Sequence, residues 1–340
     1  LVEYFRGNAK LLAEDGYFTD FISNGVSTEL CFVAFCAFTL IIIFAGVQNG
    51  IERVSKIMMP ILIVLSVIIA VYSVTRPGAL AGVKYFLVPN VKNFSWMTVV
   101  SAMGQMFYSL SIAMGILITF GSYMKKDTAI EDSTRNVEIF DTGIAIMAGL
   151  MIIPAVFAFS GGDPDTLQAG PSLMFITIPK VFQNMGFGTV IGIVFFLLVL
   201  FAAVTSSIAL TESAVSTFED ELGWGRKKAT VLVGVIMLAL GSLSSLGYGP
   251  LAGIKIIGMQ FLDLFDFLTN SVMMPIAALL TSLFVSRVVG IDKIEAEIIH
   301  GESTFRRKKV FVVMIKYLCP VFAIIILLSS VANALGWIKM

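Results

Sequence analysis

The chain has 340 residues, of which 57% are hydrophobic and 14% charged, with 23 Lys and Arg balanced by 23 Asp and Glu. A soluble domain carries about 25% charged residues, so this composition excludes one, and a net charge of zero offers nucleic acid no electrostatic footing. The single histidine, His300, lies in a polar stretch, and Cys31, Cys36 and Cys319 lie in or beside apolar runs without metal-ligand or disulfide spacing, so neither histidine acid–base chemistry nor a metalloenzyme is expected.

Apolar runs of about 18 residues or more cross a bilayer as helices. Eight are predicted: Leu30–Val47, Met58–Val74, Trp96–Met124, Val137–Phe159, Thr189–Thr217, Ala229–Leu246, Ile256–Val288 and Val310–Leu335. Positive charge alternates between the loops. Arg53, Lys56, Lys125, Lys126, Arg135, Arg226, Lys227, Lys228, Arg287, Lys293 and Arg306 to Lys309 fall on one side, which marks it as cytoplasmic and places Leu1 outside. The opening residues carry charges and aromatics and no signal-peptide pattern. An external start implies an odd number of preceding spans or a cleaved signal, and three upstream spans would fit. The outer loop 160–188 contains Leu173 to Met185, apolar but too short to span, which reads as a helical lid.

Three segments carry chemistry. Trp96–Met124 would make a helix of about 43 Å, against a hydrocarbon core of about 30 Å. Its middle gathers Gln105, Tyr108, Ser109, Ser111 and Gly115. Two readings stand: a helix broken there to present backbone groups to a ligand, or serines bonded back to their own helix with Tyr108 at a helix interface. In Phe201–Ser207, three mid-span hydroxyls at Thr205, Ser206 and Ser207 would suit a hard cation such as Na⁺, or simply allow close helix packing. Asp141, one turn after Glu138, is an intramembrane carboxylate that faces either a cation and cavity or the cytoplasmic interface, and Glu212 poses the same question. Asp263 and Asp266 lie near the outer end of the seventh span.

In order along the chain, the residues resemble the neurotransmitter:sodium symporter family in its bacterial amino-acid-transporter branch. The resemblance runs from about Gly25 to the end. It is carried by Gly104-Gln105-Met106-Phe107-Tyr108-Ser109-Leu110-Ser111, by Thr205-Ser206-Ser207-Ile208-Ala209, by Glu219-Asp220-Glu221-Leu222, and by Gly50 followed by Pro60.

The resemblance implies an all-α polytopic membrane protein with the inverted-repeat leucine-transporter fold, family helices four to eleven present and the first three missing. Residues 1–95 would close the first repeat, 96–288 would form the second, and 289–340 would hold a cytoplasmic loop and the last span. The implied activity is sodium-coupled symport of a small neutral, hydrophobic or aromatic amino acid across the cell (inner) membrane by alternating access. The alternative is a fragment that does not transport without the missing helices.

Matched by position, Ser109 and Asp141 fall at the family's first sodium site, and Ala202 (through its carbonyl), Thr205 and Ser206 at the second. Tyr108, Ser109, Ser111, Met114, Ser206 and Leu210 fall in the substrate pocket. Asp266 falls at the outer gate, Tyr123 and Asp220 at the inner one. Asp141 replaces the commoner Asn, a fixed charge that would substitute for chloride. Tyr108 replaces Phe, and Ala113 replaces a frequent Gly, adding a methyl that would trim the pocket. Unwinding between Gly50 and Pro60 would open a water path to the second sodium site.

Overall fold

Within a bilayer no water can satisfy exposed backbone groups, so apolar runs of spanning length fold as helices. In a computed structural model, which describes residues 1–14, 16–161, 163, 170–301 and 304–334, the principal helices are α1 (Gly25–Phe44), α2 (Val47–Val74), α3 (Trp96–Ser109), α4 (Ile116–Ser122), α5 (Ile130–Ser160), α6 (Gly188–Leu222), α7 (Arg226–Leu246), α8 (Phe261–Val289) and α9 (Lys308–Ala334). Among the described residues, seven of these are long and apolar enough to cross a membrane. The expected eighth span, Trp96–Met124, is divided into α3 and α4.

Several boundaries differ from the apolar runs, each for a local reason. α1 begins at Gly25 rather than Leu30 because the Asn24 side chain accepts the Ser27 amide at 3.2 Å and caps the first turn. α5 begins at Ile130 rather than Val137, with Glu131 and Asp132 in a first turn whose free amides favour acidic side chains. α8 begins at Phe261 rather than Ile256, since Ile257 and Gly258 adopt φ of 53° and 77° and turn the chain. The end of the last predicted span, Leu335, lies outside the described residues.

Around Gly50 and Pro60 the chain is helical in this structure, wide-turned over Val47–Glu52 and regular from Arg53, with Pro60 inside the regular part. Proline lacks the amide that would bond four residues back, so the helix tolerates one unpaired rung there. Gly50 has a separate role in the wide turn Val47–Glu52, where a Cβ would lie 2.1 Å from the Ile42 carbonyl oxygen.

The chain divides into two compact units, with boundaries after Val91, after Thr142 within α5, and after Ile254. The first comprises Leu1–Val91 and Gly143–Ile254. In it α1 lies along α7 at glycine contacts: Phe32 closes on Gly241 and Leu40 on Gly234. Small residues permit such approach where lipid gives helices no hydrophobic reason to associate. The predicted lid is helical, at Leu173–Gln183. Its Ile178, Val181 and Phe182 are buried, and Phe182 meets Phe195 of α6 edge-on at 5.4 Å.

The second unit comprises Lys92–Thr142 and Lys255–Met340. Phe107, Met274 and Ile326 form a buried cluster among α3, α8 and α9. The segment before α9 is tied to the start of α5. The Arg306 amide donates to Glu131 Oε2 at 2.9 Å, and Arg307 Nη1 donates to Glu138 Oε2 at 2.9 Å. Hydrogen bonding to Glu138, then its charge, holds the Arg307 guanidinium above its ordinary pKa.

Candidate functional site

The break between α3 and α4 is built from backbone conformation. α3 starts on a capping box, with Ser95 and Thr98 bonding each other's amides, and runs as regular helix to Ser109. Beyond it Ser111, Ala113 and Gly115 take left-handed φ values of 54°, 65° and 80°. Alternating handedness cannot propagate a helix, so the regular ladder gives way to turns in which the Ser111, Ile112 and Met114 amides donate to the carbonyls of Tyr108, Phe107 and Ser111. Discontinuous helices in transporters use such interruptions to meet ions and substrates. Held there, a non-glycine residue costs on the order of 1–3 kcal/mol. The glycine expected at 113 therefore has a conformational reason beyond pocket volume. Ala113→Gly is expected to stabilise the protein by about 0.5–1 kcal/mol, after the larger unfolded-state entropy of glycine is subtracted; thermal melting in detergent checks this, and a lower melting temperature would count against it.

At the end of α3 the Ser109 hydroxyl does not turn back on its own helix. It donates to Asp141 Oδ1 of α5, 32 residues away, at 2.6 Å. That length is typical of a hydroxyl bonded to an ionised oxygen. Glu138, one turn earlier, instead pairs with Arg307 at 2.9 Å. Of two carboxylates on successive turns, one is neutralised by a guanidinium, and the other holds a hydroxyl beside the helix break. A carboxylate and a hydroxyl oxygen beside an interrupted backbone are hard oxygen groups of the kind an alkali cation takes.

α6 carries the second hydroxyl group. Thr205 Oγ1 donates to the carbonyls of Phe201 at 3.1 Å and Ala202 at 3.0 Å, bringing the Thr205 and Ala202 oxygens side by side. Ser206 is exposed. Ser207 is used structurally, its hydroxyl 3.1 Å from that of Thr39 on α1. The three hydroxyls thus separate into two uses.

The remaining predicted residues are distributed as follows. In the second unit, Tyr108 is 53% exposed beside Ser109. Ser111 lies in the break, and Met114 packs against the Phe107 cluster. Tyr123 follows α4 with its ring 6.2 Å from that of Phe120. Asp266 of α8 accepts a bond from Asn270 Nδ2 at 2.5 Å. In the first unit, Leu210 and Asp220 are exposed on α6, Leu210 one turn after Ser206.

One arrangement was not foreseen. Glu212 is fully buried and forms a two-pronged pair with Arg226 of α7, at 2.6 and 3.0 Å, while Arg226 Nε donates to the Ile43 carbonyl at 3.0 Å. The sequence signal was present as an intramembrane acid followed by a basic cluster across a short glycine turn.

A helix interrupted at mid-span among uninterrupted apolar helices, with a hydroxyl–carboxylate pair at the break, is an arrangement used by polytopic membrane transporters. A sequence profile of the sodium:neurotransmitter symporter family matches residues 2–337, and the chain belongs to that family. The sodium-dependent transporter YhdH of Bacillus subtilis (strain 168), itself uncharacterized, is 34% identical over 335 residues, covering 97% of this chain and 73% of the relative. An uncharacterized sodium-dependent transporter of Haemophilus influenzae is 32% identical over 292 residues, covering 85% of this chain and 62% of the relative. The crystal structure of MhsT in complex with L-phenylalanine superposes with a TM-score of 0.83 at 33% identity, covering 97% of this chain and 74% of that one. The fold is thus that of the leucine-transporter type, and Na⁺ is the coupling ion of the family.

Proposed function

We propose that the protein carries out sodium-coupled symport of a small neutral amino acid, hydrophobic or aromatic, by alternating access in the cell (inner) membrane. The observation that carries this reading is the Ser109–Asp141 contact at 2.6 Å beside the break after α3. Ser109 and Asp141 are assigned to one sodium ion, and the Ala202 carbonyl with Thr205 and Ser206 to a second. Tyr108, Ser109, Ser111, Met114, Ser206 and Leu210 are assigned to the substrate, Asp266 to the outer gate, and Tyr123 and Asp220 to the inner one. The helices described here are assigned to family helices four to eleven, with residues 96–288 as the second inverted repeat.

Coupling follows from linkage. Ions and substrate that bind the same conformation shift its population together, and each elementary charge crossing 100 mV is worth about 2.3 kcal/mol. The residues assigned to the substrate are apolar, aromatic or hydroxylic, with no charge to meet an ionic side chain. MhsT, which matches in fold, was crystallised with L-phenylalanine, which supports the hydrophobic class. The test is uptake of each of the twenty amino acids into proteoliposomes under an inward sodium gradient. Neutral hydrophobic or aromatic substrates are expected to lead; preference for a charged amino acid, or uptake indifferent to sodium, would refute the proposal.

A further inference from the structure

A cavity of about 310 Å³ opens at the start of α6, in the first unit, lined from the lid and from the segment before α1. It is remote from the hydroxyls assigned to sodium: Thr205 lies roughly 24 Å further along the same helix at 1.5 Å per residue. α6 starts without a side-chain cap. Phe187 stands at the capping position with a left-handed φ of 60°, and its side chain offers no acceptor. The amides of Gly188 and Ile191 donate to the Met185 and Phe187 carbonyls, both at 3.1 Å, whereas those of Thr189 and Val190 have no acceptor among the described residues. Unpaired amides in the first turn of a helix of 35 residues favour negative charge.

A buried phenol lines the same cavity. Tyr4 is 3% exposed, its ring laid across Gly192, where a Cβ would come within 2.4 Å of it. Its hydroxyl has no hydrogen-bond partner among the described residues and is not sealed, so it opens on the cavity that the side chain lines. Burial pushes its pKa up to about 12, which keeps it a donor at physiological pH. Lys10 and Gln183 also line the cavity, and both are exposed. Among the described residues no carboxylate lines it: Glu3, next to Tyr4 in the chain, is held by Arg6 at 3.2 Å and Asn8 at 2.8 Å. Phe182, Met185 and Phe187 make the remaining wall apolar.

We propose that this cavity binds a carboxylate with a compact apolar body, the head meeting the first-turn amides of α6, the Tyr4 hydroxyl and the Lys10 ammonium, and the body meeting Phe182 and Met185. An ionised carboxylate has two oxygens and about four lone-pair sites, so one head serves several of these donors together. A free amino acid is a poor fit, because its ammonium would face the Lys10 charge and find no acid in the lining. An inorganic anion would leave the apolar wall unused. The occupant ties the segment before α1, the lid and the start of α6 together, at a place chemically distinct from the transport site.

The test is binding of para-fluorobenzoate to the whole protein in nanodiscs of zwitterionic lipid, followed by fluorine NMR in choline medium without sodium. The acid is expected to bind, more weakly as salt rises, and the neutral para-fluorobenzamide is expected not to. Tyr4→Phe keeps the ring against Gly192 and removes the hydroxyl, so it should weaken binding about tenfold while melting with the native protein. Lys10→Gln should weaken binding about threefold and flatten the salt dependence. The proposal is overturned if the benzamide binds as well as the acid, or if both variants bind like the native protein. It is equally overturned if binding requires sodium, which would put the probe in the transport site, or if phosphatidylglycerol added to the nanodisc displaces it, which would make the cavity a lipid-headgroup site. None of these readouts depends on uptake, so their failure is separate from any failure of the transport reading.

Discussion

Replacing Asp141 with alanine is expected to abolish sodium-driven uptake, or to raise the sodium concentration it needs by at least ~30-fold. The estimate rests on losing one partner of a charge-assisted contact, about 2–5 kcal/mol where the charge is poorly solvated, with each 1.4 kcal/mol worth tenfold. The contact in question is the 2.6 Å bond from Ser109, so Ser109→Ala should move sodium dependence in the same direction by less. Asp141→Asn keeps the shape and removes only the charge. If that charge does the work of a bound anion, the native protein transports without chloride and the Asn variant regains uptake when chloride is supplied. Uptake in chloride against gluconate media decides the point, and a strict chloride requirement in the native protein would sink it. Unchanged sodium dependence in Asp141→Ala would remove this residue from the ion site.

How much of this was legible in the sequence depended on the range of the interaction. Apolar runs located the helices, because bilayer thickness and backbone satisfaction leave a run of that length one structure. Helix ends lie several residues beyond the apolar runs where polar residues extend a helix, as Glu131 and Asp132 do at the start of α5. The break after Ser109 was signalled by polar residues and Gly115 in mid-span, yet the residue most at odds with a helix there is Ala113, the best helix former by intrinsic propensity. Its left-handed conformation is imposed by its surroundings and is invisible in its identity. Ser109 and Asp141 were each noticeable as polar groups in a span. Their meeting is a tertiary fact, and it entered the sequence reading only through family resemblance.

The pair between Glu212 and Arg226 is expected to give the largest stability effect in the molecule when broken from one side. Glu212 is 0% exposed and Arg226 23% exposed, and the guanidinium spends its donors on both carboxylate oxygens and on the Ile43 carbonyl. The two residues are 14 apart in sequence and meet because the chain reverses at Gly223, whose φ of 61° closes the turn between α6 and α7. One side chain, from the start of α7, therefore joins three helices, reaching the end of α1 and the body of α6. Arg226→Ala would leave a carboxylate buried without its counter-charge and an Ile43 carbonyl without its donor, a loss of about 3–5 kcal/mol. Arg226→Lys should recover part of it, since an ammonium supplies the charge but not the planar fork that reaches two oxygens and a carbonyl together. Attraction between buried charges hardly exceeds the cost of dehydrating them, so removing both is far milder than removing one. The double variant Glu212→Met with Arg226→Leu is accordingly expected to melt well above Arg226→Ala. Thermal unfolding in detergent of the three variants beside the native protein measures each step. If Arg226→Ala melts with the native protein, the pair carries no stability; if the double variant melts as low as Arg226→Ala, the cost lies in lost packing rather than in a stranded charge.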